Sequence, residues 1–456
     1  MNGQKNASPL WGGILYGFGG LSAVTEVVFL LLFLQSYAAV HGAVLATGAA
    51  LGLALPVLIM PLFYALVNGN TAIGTGRYHL PLVISGLAGA LAFVLLAGVG
   101  KGNAGAQTAA LLGLAFLFSS ARQIFWYTYF SIGQRFDRTD AVQKYRGVFS
   151  LCAVFAASVL SVLLADGSRD GVRAVTAVAG IIAALGVLTV YFGTVHAMPS
   201  FIRLEPYHKR SLKETYRRFV SPLKNRAVRL FAVAALFTSA GASFAAAALP
   251  AGVFGGLLGI TRGFKPAVLV AAIAMTAAGV YGVTGTGGRK TGDVTLIALT
   301  AVLAAAAAAA AVAVCLPVPQ VVSAAALFVL AALAGITLGT NLSCELRGKP
   351  YAARLCGCTL GRYACLHRCV VTVGMAAGVA LAAAVRAVIT HLGLKTGCVA
   401  AFAVFALLLL AAALVRRAGQ ADKFWRKQDE EQAARAALTE SVALESVPAE
   451  EEQCSP

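Results

Sequence analysis

The feature that most constrains this chain is a series of apolar runs of about 20 residues, each long enough to cross roughly 30 Å of hydrocarbon as a helix. Short charged or turn-rich segments separate them. In lipid a helix satisfies its own backbone hydrogen bonds, so such a chain threads the bilayer repeatedly. The runs predict twelve helices, near 11–36, 43–67, 79–100, 107–131, 146–165, 174–196, 227–253, 266–286, 294–316, 320–341, 355–388 and 396–416. Gly and Pro interrupt the pattern between Gly255 and Pro266. At 59% hydrophobic and 12% charged residues, the 456-residue chain is unlike a water-soluble enzyme, a disordered segment, collagen or a disulfide scaffold. The expected fold class is an all-α polytopic membrane protein.

A net charge of +18 would suggest nucleic acid in a soluble protein, but here the charges lie between the apolar runs. No aromatic-interleaved basic face accompanies them, so the expected partners are the lipid bilayer and a small-molecule solute, not nucleic acid. Basic residues resist translocation. Arg77, then Arg135, Arg138 and Lys144, then the basic stretch Arg203–Arg226, Arg289 and Lys290, and Arg347, Lys349 and Arg354 mark one side. The other side has Lys101, Arg169, Arg173, Arg262, Lys265 and Lys395, partly offset by Asp166 and Asp170. Both termini are therefore expected in the cytoplasm, which requires an even number of spans. The N-terminus lacks a cleavable-signal pattern, so the first run is expected to remain as a helix.

The polar stretch Pro199–Arg229 divides the spans six and six, the layout of secondary carriers whose two bundles rock about a midplane site. The expected organisation is a first bundle over 1–198, a basic linker over 199–226, a second bundle over 227–416 and a tail over 417–456. The linker also has the composition of a lipid-facing anchor. Nine of the 18 acidic residues fall in the last 35 positions, so the tail reads as a short helix with a solvated acidic end. The tract Ala304–Ala311 lies inside a span, where small residues allow close helix packing.

Four segments resemble the glycoside-pentoside-hexuronide cation symporters of the major facilitator superfamily, the family of melibiose permease. They are Tyr16-Gly17-Phe18-Gly19, Gly76-Arg77-Tyr78 with Pro81, the run Gln134–Phe149 ending Tyr145-Arg146-Gly147-Val148-Phe149, and Ser211-Leu212-Lys213. The resemblance implies twelve helices in two six-helix bundles, alternating access, and a bacterial cytoplasmic (inner) membrane. It also implies a coupling-cation site at two helix-two aspartates one turn apart. Matching on Pro61 puts Pro56 and Met60 at those positions, and neither binds a cation. The family's sugar-contacting acids fall by the same matching at Val24 and Gln123, and its helix-eleven lysine at Arg368. Sodium coupling is therefore not expected and no cofactor is implied, which leaves proton coupling or none.

A charge at bilayer depth costs at least ~2.5 kcal/mol, so each one is a functional candidate. Glu26 is the one acidic residue inside a predicted span. It follows Val24 by two positions, roughly 200° around a helix, so it does not simply replace the sugar acid. It could carry a proton, or form a structural salt bridge with Arg122 or Arg368. Gln123, Trp126, Arg368 and His367 complete the candidate solute and coupling-ion residues, while Arg77 and Arg146 are loop or gating candidates. Arg122 and Arg362 lie near span ends and also suit snorkelling to headgroups. Trp126 and Tyr127 suit ring stacking or simple packing.

Few acids and many cationic donors favour an anionic or zwitterionic solute over a neutral sugar. Cys356, Cys358, Cys365 and Cys369 with His367 lack zinc-finger spacing, and no metal site is expected. Gly285–Thr291 fails as a phosphate loop because Arg289 interrupts the Gly-Lys pair. No hydrolase constellation is present, so an enzyme is not expected. The leading reading is a secondary active or facilitative transporter of a sugar or related small solute. Alternatives are a lysophospholipid carrier of the same fold, or a transport-inactive sensor or structural protein. The sequence sets no oligomeric state.

Overall fold

The structure, a computed structural model, describes residues 9–29, 50–69, 78–99, 104–133, 139–164, 169–195, 211–248, 289–316 and 320–420. The span expected near 266–286, parts of those near 11–36 and 43–67, and the acidic tail beyond 420 lie outside them. The described residues are helical, and eight helices in them are long and apolar enough to cross a membrane.

In chain order the helices are α1 (Pro9–Gly17), α2 (Val24–Val28), α3 (Pro56–Gly69), α4 (His79–Leu96), α5 (Ala104–Gly133), α6 (Thr139–Leu164) and α7 (Arg169–Val195). Then follow α8 (Leu212–Val220), α9 (Arg226–Ala248), α10 (Arg289–Ala313), α11 (Gln320–Leu355), α12 (Leu360–Leu392) and α13 (Leu394–Gln420). Two groups emerge from their contacts. Helices α1 to α7 pack on one another, α9 to α13 do likewise, and α12 joins the groups by lying against α3 and α5.

The first membrane helix is built from α1 and α2 with a tighter 3-10 stretch, Phe18–Ala23, between them. Its glycines explain the close approach to α6. A Cβ on Gly20 would lie 2.6 Å from the Arg146 carbonyl oxygen, which backbone cannot relieve. Tyr16 stacks on Tyr129 with ring centroids 4.3 Å apart, and each hydroxyl donates to the other residue's carbonyl, at 3.0 and 2.7 Å. Phe18 lies 4.4 Å from Phe149. The segments 16–19 and 145–149, which carried the resemblance, thus pack against each other.

In the second group the alanine tract presents Ala304, Ala307 and Ala311 at helical spacing to Cys398, Ala401, Phe402 and Phe405 of α13. Helix α8 starts at Ser211, whose Oγ accepts from the Glu214 N–H at 3.2 Å, a capping arrangement that fits its S-x-x-E sequence. The one buried side chain of α8, Phe219, enters an apolar cluster with Met60, Val67, Tyr127, Cys365, Leu366 and Cys369. Its hydroxyl-bearing neighbour Tyr216 donates to the Leu58 carbonyl of α3. The described part of the linker, 211–226, is therefore docked between the groups. This differs from a purely lipid-facing anchor, because burying an aromatic ring outweighs leaving it at the headgroups.

Several helices run past their expected spans, two of them furthest. Helix α6 begins at Thr139, before 146, and α11 runs to Leu355, well past 341. In α11 the apolar run ends at Asn341, but the polar residues beyond it satisfy one another one turn apart and the helix continues. Lys349 Nζ pairs with Glu345 at 2.9 Å, and Asn341 donates to Glu345 at 3.2 Å.

Candidate functional site

Three helices from the two groups bring one charged cluster together. Arg122 and Trp126 are four residues apart on α5 and share a face, α2 supplies Glu26, and α12 supplies Arg368. Glu26 Oε1 accepts from Arg122 Nε at 2.9 Å and from Trp126 Nε1 at 2.7 Å. Its other oxygen, Oε2, meets Arg368 Nη2 at 2.5 Å. The Trp126 ring carries both cations, with the Arg122 guanidinium 5.1 Å and the Arg368 guanidinium 5.4 Å from its centroid. Beside them Gln123 donates to the Thr372 hydroxyl, a second polar link from α5 to α12.

The side chains of Glu26, Arg122 and Arg368 are 12%, 5% and 20% exposed, so little water reaches their charges. Two guanidiniums face one carboxylate, which leaves the cluster at +1. Arg122 Nη2, Arg368 Nε and Gln123 Oε1 are buried without a hydrogen-bond partner among the described residues. Unpaired buried polar atoms of this kind normally mark a missing partner.

The cluster lies between two apolar layers. On the linker side is the Phe219 cluster, with Met60 of α3, Tyr127 of α5 and Cys365, Leu366 and Cys369 of α12. On the other side Val24, Val28 and Phe29 pack with Leu53, Phe118, Ala376 and Val379. Along α12 the order is Cys365, Arg368, Thr372, Ala376, Val379, so polar contacts sit between apolar ones on a single helix. The position matched to the family's cation site is occupied by the fully buried Met60 in the linker-side layer.

Of the residues singled out from sequence, Glu26, Trp126 and Arg368 meet directly and Gln123 adjoins them. His367 does not join this contact. It is buried, with its ring 5.6 Å from Phe231 and 6.1 Å from Tyr363, and its Nε2 lacks a partner among the described residues. Arg146 lies on α6 with its guanidinium 4.5 Å from the centre of the Phe130 ring, and Lys349 of the second group reaches the same ring at 5.8 Å. Arg77 lies outside the described residues.

Of the two readings the sequence left open for Arg122, the structure shows the salt bridge to Glu26 and not snorkelling along α5. Sequence reasoning missed one feature. A second buried polar group, Asn341, Glu345 and Lys349 with Arg416 donating to Asn341 at 2.5 Å, lies on α11 and α13. The i, i+4 spacing of Asn341, Glu345 and Lys349 was the available signal. The four thiols near α12 divide into Cys356 and Cys358 at the turn before it and Cys365 and Cys369 in the linker-side layer. No group of three His, Cys, Asp or Glu that could hold a metal occurs among the described residues.

Solved transporter structures share this architecture. A point mutant of the nucleoside transporter NupG superposes with a TM-score of 0.61 at 12% identity, over 90% of this chain and 99% of that one. NupG itself gives 0.58 at 12% identity, over 91% and 99%. A bacterial homologue of the iron transporter ferroportin in its outward-facing state gives 0.60 at 13%, over 92% and 100%. No protein-family model matches the sequence, and no curated protein matches it. The chain is an integral membrane protein with the fold of the major facilitator transporters, all-α in two helix groups. At these identities the likeness reaches the fold and no further.

Proposed function

We infer that the chain carries a small solute across the membrane by alternating access, with the Glu26, Arg122, Trp126 and Arg368 cluster as the place where the solute binds. The observation that carries this reading is the position of the cluster. Buried charges contributed by both helix groups lie between two apolar layers, and parting either layer would expose them to one side of the membrane. Moving the groups apart must also break the contacts from α12 to α2 and α5, so binding and motion act on the same bonds.

The finer assignments follow from the sequence. The segments at 16–19, 76–81, 134–149 and 211–213 support a divergent member of the glycoside-pentoside-hexuronide symporter family, with a first bundle over 1–198, a linker over 199–226 and a second bundle over 227–416. The same resemblance supports a bacterial inner membrane, and the basic loops support both termini being cytoplasmic. The solute is a sugar or a related small molecule. With Met60 at the family's cation position, transport is proton-coupled or uncoupled, not sodium-coupled. Loss of several family site acids together also supports a second reading, a transport-inactive sensor of the same fold.

Uptake into proteoliposomes tests the proposal. The panel comprises radiolabelled sugars, uronates, nucleosides and lysophospholipids, each with and without sodium and at two pH values. Saturable, sodium-independent uptake of one class supports the carrier. Binding without flux supports the sensor, and sodium-dependent sugar uptake contradicts the matching of Met60.

A further inference from the structure

We propose that the cluster holds an acid group of the solute, a carboxylate or phosphate, which takes the place of Glu26 on Arg368. The inference rests on reading the cluster as the solute site. Its first support is the charge count. Two buried guanidiniums share one carboxylate, and an uncompensated buried cation is costly. The other acid near α12 among the described residues, Glu345, is engaged by Lys349 and Asn341. One negative charge is therefore missing from the site.

The second support is the geometry of the vacant hydrogen-bonding positions. Glu26 takes Nε of Arg122 and Nη2 of Arg368, leaving Arg122 Nη2 and Arg368 Nε buried without partners. These donors project from the guanidinium forks, whose fixed planar arrangement matches the two oxygens of a carboxylate or phosphate. Gln123 Oε1, also unpartnered, is an acceptor that an acid cannot satisfy, and it suits a hydroxyl or ammonium on the same solute. The site therefore asks for an acid group and a hydrogen-bond donor on one molecule.

The third support is the arrangement of the native carboxylate. Glu26 Oε1 is held within the first helix group by Arg122 and Trp126, while Oε2 alone reaches Arg368 in the second group. An incoming acid can displace Oε2 without disturbing Oε1. Binding then replaces an ion pair that ties the groups with one made by a mobile solute. A neutral solute has no comparable effect on that bond, because it offers Arg368 no charge in exchange.

The test melts the purified full-length protein in chloride, in acetate, in acetamide, and in inorganic phosphate at matched sodium and ionic strength. Acetamide is the uncharged isostere of acetate. Acetate and phosphate are expected to raise the melting midpoint saturably, and acetamide is not. Glu26→Gln removes the internal competitor and is expected to tighten acetate, while Arg368→Gln weakens it by about tenfold or more. Should Arg368→Gln fail to fold, Arg368→Lys keeps the charge, loses the Nε donor, and is expected to weaken acetate as well.

The proposal is overturned if no anion exceeds chloride, if acetamide equals acetate, or if the anion effect survives undiminished in both Arg368 variants. Uptake of neutral solutes without any anion effect would end this proposal and leave the carrier reading intact. Anion stabilisation lost in the Arg368 variants, with no flux of any solute, would uphold the acid site and end the carrier reading.

Discussion

Glu26 and Arg368 meet at 2.5 Å across the boundary between the two helix groups, 342 positions apart in the chain, and both contact the Trp126 indole. The pair is asymmetric. Glu26 has a second cation in Arg122, whereas Arg368 pairs with no other acid among the described residues. Removing one side of this pair is therefore a different experiment from removing the other.

Glu26→Gln leaves two buried guanidiniums on one indole ring with no counter-ion, and is expected to cost about 3–5 kcal/mol, the usual penalty for breaking a buried pair. Arg368→Gln leaves the Glu26–Arg122 pair in place and is expected to cost less. Thermal melting of both variants in the same detergent gives the order, and a larger loss in Arg368→Gln would contradict this account of the site.

The linker helix offers a second handle. Phe219 is 3% exposed, with its ring 5.8 Å from that of Tyr64. Phe219→Ala should lose about 3 kcal/mol or more, as large-to-small changes in packed sites do. It should also loosen the layer that covers Cys365 and Cys369. Site-resolved alkylation of these two thiols is expected to be slow in the wild type and several-fold faster in the variant. Equal rates would mean that α8 does not help close this side.

Close packing of α9 on α12 rests on small residues. A Cβ at Gly378 would overlap the Ala240 carbonyl oxygen and Ser243 Oγ, whereas one at Gly113 meets nothing within 4 Å. Gly378→Ala is expected to destabilise by about 1–3 kcal/mol through overpacking, and Gly113→Ala to be neutral or slightly stabilising. Melting midpoints in the opposite order would refute the packing described for these helices.

At the turn between α11 and α12, outside the membrane-spanning segments, Cys356 Sγ donates to the Pro222 carbonyl at 3.4 Å. Burial pushes its thiol up to about 11. A raised pKa keeps the neutral, unreactive form over a wider pH range, so alkylation should be slow near neutrality. The rate should climb about tenfold per pH unit, without levelling off at the ordinary thiol value of about 8.5. Brief iodoacetamide pulses between pH 7 and 10 read this directly, and a plateau near pH 9 would contradict the burial.

Much of the fold was legible because lipid leaves so few solutions for a long apolar run, whereas the contact of the glycines of 16–20 with the aromatics of 145–149 is tertiary, and no spacing in the sequence pairs them. The site was legible in part. Glu26 stood out as the acid in a span, and both arginines were recognised as candidate partners. That one carboxylate takes both, with Trp126 beneath them, depends on the relative rotation and height of three helices, which spacing within each helix cannot supply. Glu345 and Lys349 escaped because a hydropathy boundary was read as a helix boundary. The i, i+4 pairing that sustains α11 past Asn341 is a matter of polar satisfaction, not of apolarity.

The central claim is that the two helix groups part and rejoin around the Glu26–Arg368 contact. Spin labels carried by non-natural residues at Leu66 of α3 and Arg354 of α11, both exposed and on the linker side, report that motion in lipid. The account predicts two distance populations in the wild type, with acetate changing their ratio and Arg368→Gln favouring the longer distance. A single distance, the same in both proteins and under every solute, would contradict it.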